Sequence, residues 1–145
     1  MSKVLIISVS GIGNTILQSP LINAILKRDF VVDILFRNKA METIFRLDKR
    51  INKSYTIPKT KKEQLKLILE LRKNKYDYSI VCFPSNKIYF NLFPFVIGAK
   101  KRIIHSYNVG KFKTFSFLSN IRIESDEKLH DLEQNLNLLK ALNIN

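Results

Sequence analysis

The stretch Ser10-Gly11-Ile12-Gly13-Asn14-Thr15 is where this sequence concentrates groups able to meet a ligand closely. It follows directly on the apolar run Lys3–Val9 (KVLIISV). Two glycines one residue apart let the chain turn sharply and let a ligand approach the bare backbone. Ser10, Asn14 and Thr15 add hydroxyl and amide groups that can hydrogen-bond a sugar or a phosphate. A second constellation is basic and aromatic. Lys100, Lys101, Arg102, Lys111 and Lys113 stand among His105, Tyr107, Phe112 and Phe115. That mixture can grip phosphorylated sugars, lipid headgroups or nucleic acid. The plainer reading is a solvated basic loop with its aromatic rings packed inward.

Other chemistries find less support. His105 and His130 have no Cys or second His at metal-ligand spacing, so no metal site is expected. The glycine turn is an incomplete dinucleotide fingerprint, because the third glycine is replaced by Ile16. The acid expected at the end of the second strand is missing too: Asp33 lies near that strand's beginning and Arg37 at its end. No cofactor is expected. Cys82 is the sole cysteine, which excludes an internal disulfide and suits a small buried hydrophobe in a reducing compartment. No local sequence suggests a Ser-His-Asp or Cys-His arrangement.

The elements that must position these residues follow from periodicity. Short apolar runs at Lys3–Val9, Val31–Phe36 (VVDILF) and Tyr78–Phe83 (YSIVCF) are continuous rather than alternating, the mark of strands covered on both faces. Ile51–Ile57 and Lys101–His105 are weaker strands. Helices are expected over residues 15–28, with Asn14 as a cap and Pro20 as a kink or a late start. Further helices are expected over Ala40–Leu47, Lys61–Asn74, Asn86–Ile97 and Asp126–Asn143. Leu65, Ile68, Leu69 and Arg72 lie along one stripe of the Lys61–Asn74 helix. Tyr89 and the phenylalanines of 83–95 read as core, and Gly98 as a left-handed stop. Residues 106–120 show no clear period. Strand and helix alternate throughout, so the fold class is α/β, a doubly wound Rossmann-like parallel sheet of five or more strands in the order 3-2-1-4-5. Ligands of such sheets bind beyond the strands' carboxyl ends, which singles out loops 10–14, 37–39, 84–87 and 105–115.

The totals agree. A chain of 145 residues, 46% hydrophobic and 26% charged, fits a single domain, residues 1–145. Its 25 Lys and Arg against 12 Asp and Glu leave a net charge of +13. Such a field attracts anionic partners, and no nucleic-acid signature accompanies it. No apolar stretch reaches the roughly 18–20 residues of a membrane span, and the chain is expected to be cytoplasmic.

A longer pattern gives these features a context. Lys3–Pro20 (KVLIISVSGIGNTILQSP) resembles the opening of family 9 glycosyltransferases, the heptosyltransferases of lipopolysaccharide core assembly and their relatives. Four later stretches are similar in the same order: Val32–Arg37, Lys75–Phe83, Ile97–Ile104 and His130–Ile144. The resemblance implies one Rossmann-like half of a two-domain GT-B enzyme, the half that holds the sugar acceptor. The acceptor implied is an anionic, membrane-anchored glycolipid. The donor-binding half would be a separate domain outside these residues. The implied acceptor contacts are Ser10, Gly11, Gly13, Asn14 and Thr15, joined by Lys100, Lys101 and Arg102. The family's turn ends in an acid proposed as general base, and here that position is Asn14. A carboxamide cannot take a proton near neutral pH, so the chain by itself is expected to transfer no sugar. Its Lys100–Lys113 region is expected to bind anionic membranes peripherally and in a salt-sensitive way. The alternative reading is a non-catalytic basic domain that binds an anionic glycolipid, a nucleotide or nucleic acid.

Overall fold

The computed structural model describes residues 1–108 and 111–143, apart from the side chains of Lys111 and Phe112. Six strands form one wholly parallel sheet: β1 (Ser2–Ser8), β2 (Phe30–Phe36), β3 (Lys53–Thr56), β4 (Tyr78–Val81), β5 (Lys101–Ser106) and β6 (Ile121–Glu124). Their order is β3-β2-β1-β4-β5-β6. The two most apolar runs, β1 and β4, are the central pair, as continuous apolarity requires of strands buried on both faces. Residues alternate between those faces. Val4, Ile6, Val32, Ile34, Ile80 and Ile103 pack on one side, and Leu5, Ile7, Leu35, Val81 and Ile104 on the other.

Helices cover both faces. They are α1 (Ile12–Leu17), α2 (Ser19–Leu26), α3 (Lys39–Thr43), α4 (Lys61–Lys73), α5 (Ile88–Val96), α6 (Lys111–Thr114) and α7 (Asp131–Asn137). The first core joins the sheet to Leu21, Ile22, Ile25 and Leu26 of α2 and to Leu138 beyond α7. The second joins it to Leu71 of α4 and to Phe90 and Ile97 around α5. Cys82 is buried in the first core, and burial raises its thiol pKa well above the ordinary value. No helix among the described residues is long and apolar enough to cross a membrane.

Several local expectations are corrected. The helix expected over 15–28 is two helices that meet at Gln18. Pro20 lies in the first turn of α2, where its missing N–H needs no partner. Gly11, not Asn14, caps α1, and Asn14 sits inside that helix. The last helix starts at Asp131 rather than Asp126. His130 caps it, with Nδ1 accepting from the Leu132 N–H and Glu133 accepting from the His130 N–H. It gives way to a 3-10 turn over Leu138–Leu142. The strand β6 is not among the strands the sequence pattern announces. Its alternation, Ile121 and Ile123 inward against Arg122 and Glu124 outward, spans four residues and is too short to separate from loop by pattern.

On α4, Leu67, Ile68 and Leu71 face the sheet, while Leu65 and Leu69 of the expected stripe face outward, 58% and 51% exposed. On α5, Tyr89 and Phe95 are also half exposed rather than core. Gly98 ends α5 as expected, with φ +74. Its N–H donates to Phe95 O and that of Ala99 to Pro94 O, which satisfies two carbonyls of the last turn.

Candidate functional site

The carboxyl end of the sheet is held together by one buried amide. Gln18, fully buried at the α1–α2 junction, accepts a short hydrogen bond from the Ser8 hydroxyl at the end of β1. Its Nε2 donates to Ser10 Oγ over 2.9 Å and to the Phe83 carbonyl, past the end of β4, over 2.8 Å. Asn135 of α7 reaches the same residue, its Oδ1 accepting from the Phe83 N–H at 2.8 Å. Ser10, at the start of the turn into α1, is thus tied through Gln18 to the end of β4, to which Asn135 also ties α7.

The turn itself is open. An added Cβ at Gly11 or at Gly13 would meet nothing within 4 Å. Gly11 has φ −71 and ψ 172, extended backbone that any residue adopts. Neither internal crowding nor a left-handed conformation therefore requires glycine at these positions. What glycine leaves there is space in front of the backbone. Thr15 is buried and turned inward, with Oγ1 donating to Gly11 O at 3.0 Å, so it shapes the turn rather than facing outward. Among the described residues, the Asn14 amide makes no hydrogen bond and is partly exposed.

Beside the turn lies a second polar group. Ser85 is buried, and its N–H donates to the Tyr107 hydroxyl at 2.8 Å. The Tyr107 ring stacks on Phe83, 6.1 Å between centroids. Burial raises the Tyr107 pKa, and its hydrogen bonds with Ser85 oppose that rise. His105 packs edge-on against Phe83 and is 1% exposed. Neither of its ring nitrogens has a hydrogen-bond partner among the described residues, although the Gln134 backbone is near enough to oppose part of the effect of burial on its pKa. Burial lowers its pKa to about 4, so the ring is neutral at pH 7. The structure therefore brings together the 10–14 turn, Phe83–Ser85 and His105–Tyr107.

It does not bring Lys100, Lys101 and Arg102 to that place. They stand at the start of β5. Lys101 pairs in register with Tyr78, and Tyr78 with Val4, so their level is the beginning of β1. About 13 Å of strand separates that level from Ser8. Lys100 is ion-paired with Asp77 at 2.8 Å. Arg102 donates to the carbonyls of Leu118 and Ala99, each at 2.7 Å, and thereby ties β5 to its neighbouring loops. Lys101 lies over the Tyr78 ring. The side chains of Lys111 and Phe112 lie outside the described residues.

Two other expectations resolve here. Asp33 is 5% exposed, accepting from the Tyr76 hydroxyl at 2.6 Å and from Asn52 at 2.8 Å, so it is part of a buried network and offers nothing to a ribose. No cluster of metal-binding side chains occurs among the described residues. Gln18 and Asn135, which shape the site most, carried no sequence signal, because each looks like an ordinary polar position on an amphipathic helix.

No family model matches this sequence, and no curated protein matches it. Solved structures do match the fold. A family 9 glycosyltransferase from Veillonella parvula superposes over 99% of this chain and 42% of its own, with TM-score 0.77 and 14% identity. The E. coli heptosyltransferase WaaC with ADP-2-deoxy-2-fluoro heptose covers 99% of this chain and 49% of its own, with TM-score 0.78 and 14% identity. E. coli ADP-heptose lipopolysaccharide heptosyltransferase II covers 94% and 39%, with TM-score 0.71 and 19% identity. This chain thus has the Rossmann-like fold found in family 9 glycosyltransferases, over less than half the length of each of these three.

Proposed function

We propose that this chain is the acceptor-side domain of a glycosyltransferase of the heptosyl-transfer type. It binds the glycan of an anionic glycolipid, of lipopolysaccharide-core type, at the Ser10–Asn14 turn and the adjoining Ser85–Tyr107 group. The observation that carries the reading is the open space before Gly11 and Gly13, on a turn held rigidly by buried Gln18. A fold of this kind places its ligands at the carboxyl ends of the strands, where this turn lies.

In such a transfer, an acceptor hydroxyl oxygen bonds to the sugar's anomeric carbon. The nucleoside diphosphate leaves with the bonding pair, and the hydroxyl proton passes to a base. Asn14 can hold and orient that hydroxyl through its amide but cannot receive the proton. The donor must be supplied by a second domain. On its own the chain binds and orients, and does not transfer. This reading includes a cytoplasmic location, peripheral to the membrane in which the acceptor is anchored.

The test is an amide NMR titration with deacylated lipopolysaccharide core oligosaccharide. Shifts are expected at residues 10–15, 83–85 and 105–107. Shifts confined to Lys100–Arg102, or none at all, would overturn the reading.

A further inference from the structure

The outer faces of α4 and α5 together carry six of the exposed large hydrophobic side chains among the described residues. Leu65 and Leu69 on α4, and Ile88, Tyr89, Leu92 and Phe95 on α5, are all between 41% and 58% exposed. The two helices lie side by side on one face of the sheet. They share the second core, and Arg72 of α4 donates to the Val96 carbonyl of α5 at 2.7 Å. Between them and the ends of β1 and β2 opens a cavity of about 270 Å³, lined by residues such as Val9, Leu67, Ile68, Phe90 and Phe93, with Gln64 and Tyr89 the lining residues that carry polar side-chain groups. The Gln64 side-chain amide is already committed to the Pro58 carbonyl. The cavity therefore has little to offer a sugar or a phosphate, and it suits an apolar group.

The charges around this face are predominantly positive. α5 carries no Asp, Glu, Lys, Arg or His. α4 carries Lys61, Lys62, Lys66, Arg72 and Lys73 against two acids. Both acids have partners: Glu63 accepts from the Thr60 hydroxyl, and Glu70 is paired with Lys53. Lys59 and Lys87, exposed, flank the two helix starts. Contiguous exposed apolar side chains mark an interaction surface. Bordered by lysines, they match an anionic lipid interface, into which the apolar side chains sink while the cations meet headgroups.

We propose that the α4–α5 face is a docking surface for an anionic lipid bilayer, with Leu65, Leu69, Tyr89 and Leu92 entering the interface. It rests on the surface alone and holds whether or not the chain binds a glycan. Lys100 and Arg102 are held by Asp77 and by backbone carbonyls, so they are secondary to this contact.

The chain contains no tryptophan, so Tyr89→Trp supplies a single fluorescent reporter on the exposed face. Binding to phosphatidylcholine vesicles with and without phosphatidylglycerol is followed by flotation, and insertion by quenching with brominated lipid. The expected result is binding to the phosphatidylglycerol vesicles, with a blue-shifted, quenched indole. Leu65→Gln/Leu69→Gln/Leu92→Gln should weaken binding about tenfold or more without altering the thermal melt, whereas Lys100→Ser/Lys101→Ser should change it far less. Failure to bind these vesicles, equal binding by the triple variant, or binding with an unquenched indole would overturn the proposal. So would lipid-free self-association that buries the indole.

Discussion

Gln18 Nε2 donates to the Phe83 carbonyl across 2.8 Å, and this bond fastens the end of the first αβ unit to the end of β4. The two residues are 65 positions apart in sequence. The Gln18 side chain is fully buried, and it also serves Ser8, through a buried bond, and Ser10. A polar group removed from such a place leaves its partners without water or replacement.

Gln18→Leu should therefore cost about 2–4 kcal/mol of stability, from several orphaned partners rather than lost volume. Urea denaturation followed by circular dichroism measures it. A loss within about 0.5 kcal/mol, the scale of an ordinary surface change, would mean that the network does not hold the turn.

Gly13→Ala should leave stability unchanged or raise it by up to about 1 kcal/mol, because alanine favours a helix and its Cβ meets nothing. Gly13→Leu should fold as well, yet weaken binding of the core oligosaccharide about tenfold or more by filling the space a ligand needs. Denaturation and NMR titration on the same samples separate the two effects. Equal affinity in both variants would show that the space before the turn is unused.

Stability should fall as the solution is acidified from pH 6.5 to about 4. His105 has its folded pKa lowered to about 4 by burial, while in the unfolded chain it titrates at its ordinary value of 6.5. In that window the unfolded state binds the proton and the folded state does not, so unfolding is favoured as pH drops. The full effect, of order 3 kcal/mol by the size of the shift, is absent above the window and complete near its lower edge. Asp48 and Asp77, whose pKa values are lowered by Arg50 and Lys100, lose their stabilisation mainly below the ordinary carboxylate value of 3.8 and so fall outside it. His105→Leu should flatten the curve between pH 6.5 and 4. A wild-type curve already flat there would refute the assignment.

Asn14→Asp should not produce sugar transfer by residues 1–145 alone, because the proposed function assigns the donor site to a second domain. With a donor-binding domain supplied in trans, the same change should raise the rate by about 10²–10⁴, the usual worth of a general base. Transfer of radiolabelled sugar from nucleotide-sugar pools to a lipid-linked acceptor reads both cases. Robust turnover by residues 1–145 alone would overturn both the reading of Asn14 and the assignment of the donor site to a second domain.

Much of the fold was legible in the sequence, because its signals are local. Apolar runs such as Lys3–Val9 report burial on both faces, and their alternation with helices dictates a parallel sheet with β1 and β4 central. Pro20 marked the break after α1, and Gly98 the left-handed stop of α5. The Gly11–Gly13 turn was legible for the same reason, since it follows at once on the first strand.

The tertiary structure decided what depends on distant partners. Strand β6 exists because β5 offers an edge to pair with, which four residues of alternation cannot announce. Leu65 and Phe95 are the same residue types as Leu71 and Phe90, and only the packing of α4 and α5 on the sheet turns one pair outward and the other inward. Lys100–Arg102 and the glycine turn both read as ligand contacts, yet parallel strands put the start of β5 level with the start of β1. The turn lies at the opposite end of the sheet, because every strand of a parallel sheet runs the same way from its amino to its carboxyl end.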